Sequence, residues 1–186
     1  MSDSVRIGIT GHRYLHAVPA LIGTIHEALA LVEERWEGYL LQLYTPLAPG
    51  ADQLAAVAAM EHGFDLVLVL PFEQERYLEA FPEENRETFH MLMCMASDVV
   101  ALDGGLDDEA AYRQTGFYLV EQLDCLVALW NGQPPQGPGG TGEVVEAFRR
   151  SGKPLIWIYT DNMRPDHPEP LPAGMNQGDL ALENWE

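Results

Sequence analysis

The sequence predicts an α/β fold: a Rossmann-like, doubly wound, mainly parallel sheet of about six strands with helices on both faces. Three observations lead there. Short apolar runs alternate with longer stretches of helical spacing, the signature of parallel strands joined by crossover helices. Runs such as "DLVLVL" at 65–70 and "CLVALW" at 125–130 are apolar almost throughout, as strands buried on both faces are. Glycine-bearing loops follow the first, second and fifth runs, on the edge where such sheets take ligands.

Each element has its own justification. "VRIGIT" at 5–10 is the first strand, and Pro19 suits the opening turn of a helix whose apolar face is Ile22, Ile25, Leu29, Val32 and Trp36. "YLLQLYT" at 39–45 is the second strand, and Leu54, Ala55, Ala58 and Met60 mark the helix after it, which ends near His62-Gly63. The third strand, 65–70, precedes a helical stretch over 73–96 that Pro82 must break or kink. "DVVAL" at 98–102 is the fourth strand, the loop "DGGLDDE" follows, and 109–123 reads as a helix. The fifth strand leads into "NGQPPQGPGGTGE", then a helix over 144–151 and a sixth strand, "PLIWIY". No internal repeat is present. Residues 1–159 form the expected domain; 160–186, with Pro165, Pro168, Pro170 and Pro172, read as an extended arm over the surface in which no catalytic residue is expected.

At 186 residues, 47% of them hydrophobic, the chain can bury a single substantial core. No apolar stretch reaches the length of a membrane span, and the N-terminus enters a strand directly, so a cytoplasmic protein without a membrane partner is expected. Cys94 and Cys125 lie in apolar runs without metal-type spacing and read as small buried hydrophobes. With 10 Lys+Arg against 29 Asp+Glu, the net charge is −19. Affinity for polyanions comes mainly from basic residues, so the expectation is no nucleic-acid partner. A small phosphate-bearing ligand stays open, because backbone amides can hold it locally.

The three loops carry the candidate site. In "TGHR", Gly11 permits close backbone approach, Arg13 offers a fork to phosphate, and His12 is either a packed or solvent-facing imidazole or a ligand contact. In "APGADQ", Gly50, Ala51 and Asp52 open a helix, where Asp52 either accepts from sugar hydroxyls or complements the dipole. In the third loop, Asn131, Gly132, Gly139, Gly140, Thr141 and Glu143 lie between a buried strand and a helix N-terminus, the parts of an anion site. Thr141 and Glu143 serve equally well as simple helix caps.

"GITGHR", "PLAPGADQLAA", "VLPF" and "CLVALWNGQPPQGPGGTGEVV" resemble the SLOG superfamily, the Rossmann-like group that includes the DNA-processing SMF proteins, the lonely-guy phosphoribohydrolases and small stand-alone bacterial domains. The resemblance runs over about residues 5–158. It implies a pocket for a nucleotide or nucleotide-derived ligand, its phosphate near Gly139–Thr141, Gly11–Arg13 lining it, and Gly50 and Asp52 completing the wall. It calls for no cofactor and no metal, and a homo-oligomer is compatible with it. The lonely-guy enzymes pair an arginine with a glutamate three residues after the loop threonine. Val144 holds that place here, Glu143 is one residue early, and Arg113 sits at a different distance from the strand. The reading that follows is a sensor-type binding domain. The alternative is an N-glycosidic hydrolase of nucleoside monophosphates, with Glu143 and Arg113 as the candidate catalytic residues.

Overall fold

The computed structural model describes residues 3–105, 107–135 and 137–186. Residue 106 of the 103–109 loop and residue 136 of the glycine-rich loop lie outside the described residues, as do residues 1–2. The chain runs β1 (Ser4–Gly11), α1 (Val18–Arg35), β2 (Leu40–Thr45), α2 (Ala51–Glu61), β3 (Asp65–Leu70), α3 (Gln74–Leu78), α4 (Glu83–Met95) and β4 (Asp98–Ala101). It continues through α5 (Asp108–Gln122), β5 (Cys125–Trp130), α6 (Thr141–Arg149), β6 (Leu155–Tyr159), β7 (Asn162–Met163), β8 (Pro168–Glu169) and β9 (Leu180–Glu183). Pro82 divides the expected long helix in two by capping α4. α6 begins at Thr141, before its apolar residues start, because the glycine loop already supplies its first turn.

The sheet has seven strands in the order β4-β3-β2-β1-β5-β6-β9. The first six are parallel, and β9 closes the edge antiparallel to β6, with Ile156 opposite Leu182. Strand alternation sends side chains to two cores. Ile7, Ile9, Leu43, Leu68 and Val127 pack toward α1, α2 and α4, while Leu126, Ala128, Trp130 and Leu155 pack toward α5 and α6. On α1 the buried face is Leu21, Ile25, Ala28, Leu29 and Val32, and Ile22 stands exposed one position off it. Cys125 is buried, but Cys94 is exposed, contrary to the expectation from its apolar run. α4 faces the core with Phe89 and Leu92, which turns Met91, Cys94 and Met95 outward.

Chain order reverses between β1 and β5. From β1 the chain steps outward to β2, β3 and β4, then returns to β5 on the other side of β1. The loops leaving these two strands diverge to opposite faces and open a crevice at their carboxyl ends. Residues 160–186, which the prolines suggest is a surface arm, instead supply β9 to the main sheet and a small β7–β8 hairpin. That hairpin folds back over the crevice, where the Met163 amide donates to the Tyr14 carbonyl at 2.8 Å.

Candidate functional site

The loops after β1, β2 and β5 interlock through His12. Its amide donates to the Leu129 carbonyl and its carbonyl accepts from the Ala51 amide, each at 3.1 Å. Its Nε2 accepts from the Asn131 amide at 3.1 Å, which leaves the ring proton on Nδ1. Burial holds the imidazole below the ordinary histidine range, against the upward pull of Asn131 and of the Glu169 charge. His12 is therefore a neutral tie among the loops. The β2–α2 loop presses so close that a Cβ on Gly50 would lie 2.5 Å from the Arg13 carbonyl oxygen, and φ there is +89°. Only glycine fits both conditions. Ala51 is wholly buried behind Gly11.

Two adjoining cavities open at this edge. The inner one, about 240 Å³, has Asp52, Tyr77 and Tyr112 on one side and Leu119 and Val144 on the other. The outer one, about 670 Å³, is bordered by His12, Asn131, Asn162, Arg164 and Glu169. Gly11, Arg13, Gly140 and Thr141 line both. Gly139 lines the inner cavity alone. Gly50, Ala51, Gly132 and Glu143 line neither; the first two frame the β1 loop, and Gly132 packs against the Trp157 ring.

Asp52 is the buried carboxyl of the inner cavity, only 4% exposed. Desolvation raises its pKa to about 7, while a 3.2 Å bond from the Ala48 amide and the nearby charge of Arg13 pull the other way. Gln53, next to it, bonds the Leu47 carbonyl at 3.2 Å and Asn85 at 2.8 Å, so the β2–α2 loop is bolted to α4. Arg13 itself is exposed, its guanidinium carbon 5.6 Å from the centre of the Tyr112 ring. That stacking steers a flexible cation over the cavity mouth without neutralising it.

Among the described residues, no side chain caps α6. The Glu143 and Val144 amides bond back to the Gly140 carbonyl, so the preceding Thr141 and Gly142 amides stand at an open helix N-terminus. Glu143 is committed elsewhere. Its Oε2 accepts from the Gly139 amide and its Oε1 pairs with Arg113 Nη2, both at 2.7 Å. The candidate catalytic pair is thus joined to itself, and neither member lines either of these two cavities. Its role in the structure is to hold the glycine loop against α5.

Several cavity residues escaped the sequence reading. Tyr77 and Tyr112 come from helices whose spacing marks them only as core. Asn162, Arg164 and Glu169 come from the C-terminal segment, which reads as a surface arm. Glu169 lies between Pro168 and Pro170, and a carboxylate fixed in extended backbone by flanking prolines was the available signal.

No protein-family model matches the chain, and no curated protein matches it by sequence. Solved structures do match. DNA processing protein A from Helicobacter pylori superposes with a TM-score of 0.54 at 15% identity, over 94% of this chain and 68% of that one. DNA processing protein A from Streptococcus pneumoniae gives 0.52 at 14%, over 81% and 49%, so this chain spans about half of that protein's length. The structural-genomics target TM1055 gives 0.50 at 17%, over 81% and 72%. The fold is the Rossmann-like fold shared with these proteins. At these identities the likeness is one of fold. One expectation falls with it: the H. pylori protein of this fold is described by its single-stranded DNA binding mode, so excluding nucleic acid from the net charge was an error. Whole-chain charge sets the distant field, which salt screens within about 10 Å, whereas a strand is held by local groups in a groove. Among the described residues, no helix of this chain is long and apolar enough to cross a membrane.

Proposed function

We propose that the chain binds a nucleotide or nucleotide-derived molecule in the crevice between β1 and β5, with a phosphate at the Gly140–Thr141 end of α6 beside Arg13. The observation that carries this reading is the uncapped α6 N-terminus opening onto both cavities at the sheet's switch point. The inner cavity, walled by Tyr77, Tyr112, Leu119 and Val144, suits a flat apolar group next to that phosphate. Hydrolysis of an N-glycosidic bond through Glu143 draws less support, because both of its oxygens are engaged away from the cavities. The test is calorimetric titration with inorganic phosphate, nucleoside monophosphates and a short oligothymidylate. A mononucleotide should bind, and Arg13→Ala should weaken it by about 1.5–3 kcal/mol, the range for a hydrogen bond to a charged group. Absence of heat and of thermal stabilisation with every phosphate compound would refute the reading. Tight binding of the oligothymidylate alone would move the ligand from mononucleotide to strand. Chromatography for free base in the same mixtures reports hydrolysis directly.

A further inference from the structure

The outer cavity is lined by chemically opposite groups: Arg13 and the open end of α6 at Gly140–Thr141, and the carboxylate of Glu169. Glu169 is 8% exposed, and the tail holds it deliberately. β7 and β8 place Asn162 directly opposite it, and Asn162 Nδ2 donates to its Oε2 at 3.0 Å. Asn131 Nδ2, from the loop after β5, lies 3.4 Å from its backbone carbonyl and 3.5 Å from Oε2. Its other oxygen, Oε1, is buried and has no hydrogen-bond partner among the described residues. A carboxylate oxygen removed from water is costly unless a donor meets it. One oxygen is satisfied by two asparagines, while the other, in a residue that lines the cavity, is left without a donor.

We infer that Glu169 is a specificity residue of this site, accepting hydrogen bonds from the vicinal hydroxyls of a ribose whose phosphate rests at Gly140–Thr141. The inference rests on the phosphate-binding reading above and adds the sugar to it. A neutral donor fits better than a cation. Arg13 and Arg164 already border the cavity, and a positively charged ligand group would meet both. Arg164 is itself paired, 3.3 Å from Asp166, so it does not reach across to neutralise Glu169. A ligand anionic at one end and hydroxylated at the other satisfies both kinds of group at once, and a ribose 5-phosphate unit is the smallest such ligand. The hydroxyl bonds are charge-assisted, and their loss is felt strongly because they form in a buried site.

The test titrates the intact chain with D-ribose 5-phosphate, 2-deoxy-D-ribose 5-phosphate and inorganic phosphate, then with matched ribo- and 2′-deoxyribonucleoside 5′-monophosphates. The wild type should prefer the ribo form by roughly tenfold or more, the loss expected when a charged partner goes unpaired. Glu169→Gln, which keeps the shape and an acceptor for Asn162, should bring the ribo-to-deoxy ratio toward one while leaving affinity for inorganic phosphate unchanged. Glu169→Ala should do the same, and its circular dichroism shows whether the hairpin is intact. Equal binding of ribo and deoxy forms by the wild type overturns the assignment. So does a parallel loss of all three affinities in Glu169→Gln with the ratio retained, the mark of a purely structural carboxylate. Failure of every phosphate compound to bind instead refutes the phosphate reading, and this assignment with it.

Discussion

Gly139 and Gly140 are neighbours in one motif with different physical jobs. Gly139 has φ of +71°, and a Cβ there would lie 2.6 Å from the backbone of Tyr112 and Arg113. Gly140 has φ of −71°, and the first backbone atom a Cβ would meet is the Gly137 carbonyl oxygen at 3.3 Å. Gly139→Val should therefore destabilise the fold, by about 2 kcal/mol or more, since a β-branched residue at positive φ is strained before any clash is counted. Gly140→Val should leave the urea midpoint nearly unchanged and abolish phosphate binding by filling the cavity mouth; equal stability losses in both variants would contradict this division. Asp52 gives a second test. Its pKa rises from 3.8 unfolded to about 7 folded. Between those values the unfolded chain releases a proton that the folded one keeps, so stability falls as pH rises through that window, each unit being worth about 1.4 kcal/mol. Asp52→Asn should remove that slope and gain on the wild type most above pH 7. A phosphate ligand should also bind the wild type less well above pH 7, where Asp52 ionises, and the asparagine variant should lack the decline. Parallel pH profiles for the two proteins would show that Asp52 does not titrate there.

At the scale of elements, the last helix is held at both ends by ion pairs that reach other parts of the chain. At its start, Glu143 ties the glycine loop to Arg113 on α5. Near its end, Arg149 forks onto Glu183 of β9 at 2.9 and 2.6 Å, with its guanidinium over Trp130 and Trp157. The C-terminal strand is thereby fastened to α6 as well as to β6. Both partners of the second pair are about one-third exposed, so its net worth is about 1 kcal/mol or less. Glu183→Gln should barely move the melting temperature. It should instead speed hydrogen exchange in β9 before β6 is affected, because an edge strand opens locally. Uniform acceleration across the sheet would mean that β9 and the parallel strands unfold as one unit.

For the whole molecule, the dominant property is the charge of −19. Like charges repel across the surface in the compact state more than in the expanded one, and ions screen that repulsion. Raising sodium chloride from about 0.02 to 0.3 M, which shortens the screening length several-fold, should lift the melting temperature by a few degrees. A fall would show that local pairs such as Arg149–Glu183 outweigh the global repulsion. The same acidity makes any anion site local. Attraction must come from Arg13 and from the α6 amides, since the distant field opposes a phosphate.

The alternation of buried strands and helices was legible in the chain because apolar periodicity reports local structure directly. The third strand, the break at Pro82 and the three glycine loops stand where their residues place them. A parallel sheet sends the loops after its strands to one edge, so Gly11, Arg13, Asp52 and Gly140 could be expected at that edge from the alternation of strands and helices. Tertiary structure decided what that alternation cannot reach. It turned Cys94 outward, locked Glu143 onto Arg113, and made His12 a neutral tie instead of an exposed ring. It also brought the 160–186 segment back to wall the outer cavity with Glu169. Such contacts join residues from 30 positions apart, as in Glu143–Arg113, to 119, as in the Asn131–His12 bond, and depend on packing that apolar spacing does not encode.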